Sequence, residues 1–88
     1  MSPQYGQDTL AVHFTWLPDR AGVERALVQV EAALAPFGAR PHWGKLFLAD
    51  AAATAPLYER LGDFRRLVDR LDPGGVFAND WLRRHVFG

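Results

Sequence analysis

The chain has no cysteine and only one methionine in 88 residues. A disulfide framework and a thiolate metal site are therefore excluded. Neither sign of charge is in excess, because ten basic and ten acidic side chains cancel formally. A general nucleic-acid binder needs a basic stripe to neutralise phosphates, and this balance does not provide one. No apolar run approaches the ~20 residues that span a bilayer. The N-terminal Met1-Ser2-Pro3-Gln4-Tyr5-Gly6 lacks the basic region and apolar core of a secretory signal. The three histidines, His13, His42 and His85, are widely spaced and form no local metal motif. The expectation is a soluble, cytoplasmic protein with no metal, no nucleic-acid partner and no membrane span.

Hydrophobic residues make up 49% of the chain, enough to exclude compositional disorder. The length allows one small domain, which buries roughly 60 to 65% of the surface that its unfolded chain exposes. A pocket of about 300 Å3 or more is hard to enclose within such a fold alone.

Residues 1–7 are polar and read as an entry loop. Residues 8–17 read as a strand, because Leu10, Val12, Phe14 and Trp16 alternate with Thr9, Ala11, His13 and Thr15. His13 and Thr15 then share one face, roughly 7 Å apart along it. That face fits either the lining of a polar pocket or the wet side of a half-solvated strand. Pro18-Asp19 starts a helix whose inner stripe is Val23, Ala26, Leu27, Val30, Ala33, Leu34 and Phe37, with Glu31 turned away and Gly38 as the stop. The stripe should pack on the apolar face of the first strand.

Arg40-Pro41-His42-Trp43-Gly44-Lys45 is the densest stretch chemically, with two ring-bearing side chains, a glycine and two cations. Pro41 disfavours helix at Arg40, so residues 40–48 read as a second strand with an irregular middle. Gly44 allows a backbone or a flat ligand to approach closely, and Lys45 offers a positive charge and three donors. Two accounts fit these residues. In one, the segment meets an anionic or hydroxyl-bearing ligand beside an aromatic wall. In the other, Trp43 is core, Lys45 lays its stem on the surface and Gly44 is a bulge.

Residues 50–56 read as an alanine-rich surface connection. Gly62-Asp63 reads as a break and a cap before a helix whose inner face is Phe64, Leu67, Val68 and Leu71, with Arg65, Arg66, Asp69 and Arg70 on its solvated side. Asp72-Pro73-Gly74-Gly75 is a turn by composition, Phe77 should be buried after it, and Asn79-Asp80 can cap a short last helix over residues 81–87. His85 reads as surface. The fold class this predicts is α+β, a small sheet of about two strands packed by two main helices and a short C-terminal helix.

Four pieces in this order resemble the C-terminal substrate domain of flavin-dependent sugar-alcohol and aldonolactone oxidases of the vanillyl-alcohol-oxidase superfamily. They are Val12-His13-Phe14-Thr15-Trp16, His42-Trp43-Gly44-Lys45, residues 58–64, and Asp72-Pro73-Gly74-Gly75-Val76-Phe77-Ala78-Asn79. The likeness is strongest to bacterial alditol (xylitol) oxidases and extends to D-arabinono-1,4-lactone oxidases. The resemblance implies that residues 1–88 are the C-terminal part of a substrate (cap) domain, a partial domain of a larger flavoenzyme fold, with the FAD-binding domain absent. It implies a flavoprotein oxidoreductase that oxidises the CH–OH group of alditols (xylitol- or sorbitol-like) or aldonolactones with oxygen as acceptor. It assigns catalytic roles to Lys45 and His13, substrate binding to Thr15, His13 and Lys45, and cofactor binding to His42 and Lys45. FAD belongs to the full-length family, and the chain alone should bind none and be inactive. Glu59 stands where relatives tend to have proline. An orphaned substrate domain would be a free-standing interaction module that self-associates, or one chain of a split oxidase with an FAD-domain partner.

Overall fold

A computed structural model describes residues 6–88. The expected entry loop over residues 1–7 lies largely outside the described residues. The backbone gathers into two compact units that divide between Leu48 and Ala49.

The first unit is built on α1 (Arg20–Leu34). Asp19 caps it, its Oδ1 accepting the Gly22 N–H at 3.1 Å. This satisfies one of the four N-terminal amides that have no partner inside a helix. The chain enters through a tight turn around Pro18, closed by Asp19 N–H to Leu17 C=O at 2.7 Å. A 3-10 turn, Ala35–Phe37, follows α1 and ends at Gly38, whose φ of 64° is the left-handed conformation that glycine adopts without a steric penalty. α1 buries Val23 and Leu27. Phe37, expected on the inner stripe, is 83% exposed because the helix has already tightened into the 3-10 turn and left the stripe's register.

The expected sheet is not formed. Among the described residues there is no strand, so the α+β reading with about two strands is corrected to an all-helical arrangement. The physical reason lies in what a strand requires. Its N–H and C=O groups point sideways and need a neighbouring strand to pair with. Residues 40–48 offer no such edge to residues 8–17, because a β-turn interrupts them at residues 42–45 and the Leu48 N–H is taken by the Glu31 carboxylate at 2.8 Å. Alternation along residues 8–17 still shows in the aromatic pair Phe14 and Trp16, whose rings stack 5.4 Å apart at 20°. It does not show in burial, since Leu10 is 88% exposed.

The second unit packs three helices around its last turn. Residues 50–56, expected as a surface connection, instead form α2 (Ala51–Thr54) and a following 3-10 turn, Ala55–Leu57. Asp50 caps α2 through the Ala53 N–H at 3.0 Å, and Ala51 and Thr54 are buried. α3 (Leu61–Leu71) starts before the expected break at Gly62-Asp63, and Arg60 stands at the cap position without accepting a backbone amide. Asp63 lies in the first turn, between the Arg60 and Arg66 guanidiniums. The hydrogen bond and charge of Arg60, with a smaller contribution from Arg66, hold its carboxyl below the usual carboxylate range. The Asp72 turn forms as expected, closed by Gly75 N–H to Asp72 C=O at 3.0 Å. The Asp72 carboxylate also accepts the N–H groups of Val76 and Phe77 at 2.8 and 2.9 Å. Phe77, expected to be buried, is 82% exposed, because that brace holds the loop outside the core.

Asn79 caps α4 (Asp80–Leu82), which runs into a π-helical turn, Arg83–Phe87. This turn is the hub of the unit. Val86 is 1% exposed and His85 is buried, correcting the reading of His85 as surface. Thr54 Oγ1 donates to the His85 C=O at 2.8 Å, His85 Nδ1 lies 2.7 Å from the Ala49 C=O, and the Arg65 guanidinium donates to the Val86 C=O. A carbonyl only accepts, so His85 Nδ1 carries the proton. Trp81 lies against the His85 ring at 5.0 Å, and Phe64 stacks on Phe87 at 6.4 Å. Arg65, expected on the solvated side of α3, instead ties α3 to the last turn.

Thr54→Val keeps the shape of the side chain and removes the donor to a buried carbonyl. We expect it to destabilise the chain by about 1–3 kcal/mol, read as a lower urea midpoint with an unchanged slope; an unchanged midpoint would show that the His85 carbonyl finds another partner.

Candidate functional site

The residues singled out by the sequence all lie in the first unit. Residues 42–45 form a β-turn closed by Lys45 N–H to His42 C=O at 3.0 Å. The His42 ring folds back over the turn, and its Nδ1 accepts the Gly44 N–H at 3.0 Å. Gly44 does not have a positive φ, which excludes the turn types that demand glycine for its backbone freedom. Its use here is room: a Cβ at this position would stand 3.1 Å from His42 Cε1. The close approach expected at Gly44 is thus made by an imidazole of the chain itself.

Lys45 is exposed at the end of the turn and forms no ion pair with any described residue. Its ammonium therefore keeps all three donors for a ligand. Trp43 is half-buried and Phe47 is buried, so the segment is anchored by apolar side chains on both sides of the cation. It is also anchored through its backbone. Glu31 reaches from α1 to accept the Leu48 N–H at 2.8 Å. The expectation that Glu31 turns away from the packed side of α1 is corrected, and sequence reasoning missed its part in the site. A carboxylate bordering the apolar stripe, with its mate seventeen residues on, has no local signal.

His13 and Thr15 stand on residues 8–17, both exposed. Thr15 lines a shallow, open groove of about 360 Å3 with Trp16, Leu17, Asp19, Gly22 and Val23, at the start of α1. The turn joins His42 to Lys45. Among the described residues no hydrogen bond or ion pair joins either of them to His13 or Thr15. Chemically, the turn is a donor platform. It offers an ammonium and, because Nδ1 is used as an acceptor, an imidazole N–H at Nε2.

The sequence profile described as D-arabinono-1,4-lactone oxidase matches residues 1–85, which include all four of these side chains. The chain belongs to this family. An alditol oxidase of a Streptomyces species is 48% identical over 83 residues, covering 94% of this chain and 20% of the relative. The L-gulono-1,4-lactone dehydrogenase of Mycobacterium tuberculosis is 39% identical over 88 aligned positions, covering 96% of the chain and 19% of the relative. A long-chain alcohol oxidase from an uncultured marine euryarchaeote is 51% identical over 45 residues, or 51% of the chain and 9% of the relative. The chain therefore spans a fifth or less of the length of these relatives. All three carry the names of oxidoreductases, and the family is one of oxidoreductases. No helix among the described residues is long and apolar enough to cross a membrane.

Glu31→Ala removes the acceptor from a partly buried N–H, whereas Glu31→Gln retains one. The alanine variant is expected to lose about 1–3 kcal/mol of stability and the glutamine variant clearly less, measured by urea unfolding. Equal losses would mean that the negative charge, and not the acceptor, is what Leu48 requires.

Proposed function

We propose that residues 1–88 are the C-terminal part of the substrate (cap) domain of a flavin-dependent oxidoreductase. Its reaction is oxidation of the CH–OH group of alditols (xylitol- or sorbitol-like) or aldonolactones, with oxygen as acceptor. The observation that carries the reading is the family match over residues 1–85, which takes in an exposed, doubly closed turn presenting Lys45.

Lys45 places its ammonium where negative charge develops on the reacting oxygen, which lowers the barrier most in a site closed to water. His13 hydrogen-bonds the substrate hydroxyl and shares in its proton transfer, since an imidazole offers both a donor and an acceptor nitrogen. Thr15 orients the remaining hydroxyls so that the reacting carbon is held about 3 to 3.5 Å from its acceptor. For FAD, the donor set on the turn fits one edge of the ring system, where His42 Nε2–H and the Lys45 ammonium would meet ring acceptors. FAD, when bound, supplies acceptance of the hydride. The diphosphate of FAD calls for a glycine-rich loop before a helix, and none occurs among the glycines of these 88 residues. In this reading residues outside the chain hold that part of the cofactor, and the chain alone binds no FAD and turns nothing over.

Mixing the chain with FAD and xylitol is expected to yield no hydrogen peroxide, and robust turnover would sink the reading. Exchanging this chain for the corresponding fifth of the Streptomyces alditol oxidase is expected to give a chimera that oxidises xylitol. In that chimera Lys45→Met should lower kcat by roughly a hundredfold or more. A folded chimera that binds FAD and shows no effect of Lys45→Met would remove Lys45 from the chemistry.

A second reading has its own observation. Leu10 and Leu17 in the first unit, and separately the adjacent Val76 and Phe77 in the second, are each about 80 to 90% exposed, and large apolar surface left in water on either unit favours association. An FAD-domain partner chain or a second copy of this chain would cover it. Light scattering over a dilution series should show concentration-dependent association; a strict monomer at every concentration would count against this reading.

A further inference from the structure

We infer that His42 is a positioning residue for Lys45, held as the neutral Nε2–H tautomer with its Nδ1 committed to the backbone of the turn. The functional consequence rests on the role proposed for Lys45 above; the tautomer and the brace do not. A backbone N–H can only donate. The Gly44 N–H lies 3.0 Å from Nδ1, so Nδ1 presents a lone pair and the ring proton of the neutral form sits on Nε2. The same residue closes the turn a second time, since its C=O takes the Lys45 N–H at 3.0 Å. Two successive amides, those of Gly44 and Lys45, are thus fixed by the ring and the carbonyl of one residue. Backbone amides in an exposed turn would otherwise exchange partners with water, and the cation after them would sample many positions.

This assigns His42 a restricted chemistry. With the turn intact, neither ring nitrogen is open to accept a proton, because one lone pair is used and the other nitrogen already carries hydrogen. His42 therefore is not the base of the reaction, and the ligand atom it faces is an acceptor, such as a carbonyl or hydroxyl oxygen. His42 and His85 are held in opposite tautomers, because the Nδ1 of His85 meets a carbonyl and that of His42 meets an N–H.

The test uses the 15N-labelled chain in the absence of flavin and substrate, so it stands or falls apart from the proposed activity. A long-range 1H–15N spectrum should show an unprotonated Nδ1 and a protonated Nε2 for neutral His42; a protonated Nδ1 overturns the inference. His42→Asn keeps an acceptor the same number of bonds from the backbone, whereas His42→Ala does not. Amide exchange at Gly44 should be about fivefold faster in the alanine variant and within about twofold of wild type in the asparagine variant. Equal exchange in all three proteins would show that the ring braces nothing.

Discussion

Much of this structure answers to one constraint: backbone polar groups that have no strand or helix partner are met by side chains where they are buried, and by side chains or water where they are exposed. A buried, unpaired N–H or C=O costs about 1–3 kcal/mol, a large fraction of what a small domain has to spare. In a chain without a β-ladder among its described residues the demand is heavy. Asp19, Asp50 and Asn79 answer it at helix starts. Thr54 and Arg65 answer it at the last turn, Asp72 in the loop before α4, and Glu31 and His42 around Lys45.

This constraint also connects architecture to chemistry. The turn bearing Lys45 is positioned by hydrogen bonds to its own backbone, and an ammonium is useful in a reaction only when its location is defined before the substrate arrives. Spending Nδ1 of His42 on that task removes the ring from proton transfer and leaves a donor. In the proposed oxidation, proton transfer then falls to His13, and the turn supplies charge and hydrogen-bond donors. The division of labour follows from which nitrogen meets which backbone group.

Much of the local structure was legible in the residues. The Pro18-Asp19 start, the Gly38 stop, the Asp72 turn and the Asn79 cap each depend on side-chain chemistry within a few positions, and each formed as read. The strands were misread because alternation reports that two faces differ and says nothing about what lies beside the edge. The alanine-rich connection was misread because small residues at a helix contact look like a linker, and only the packing of Ala51 and Thr54 against the last turn distinguishes the two. Phe77 was misread because size suggests burial, whereas the Asp72 carboxylate holds its backbone outside the core.

The sequence by itself determined the family, because that resides in residue type and order. The starts of α1 and α4 were likewise set locally, each within reach of one capping side chain. Only the tertiary structure decided which carbonyl His85 would face, that Arg65 and Glu31 would serve as backbone partners, and that the His42 ring would turn back onto Gly44. The long-range contacts among these join groups seventeen to thirty-six positions apart, and the contact at Gly44 depends on a rotamer. Neither separation nor rotamer is written in a local pattern, because both are settled by the free energy of satisfying the whole backbone at once.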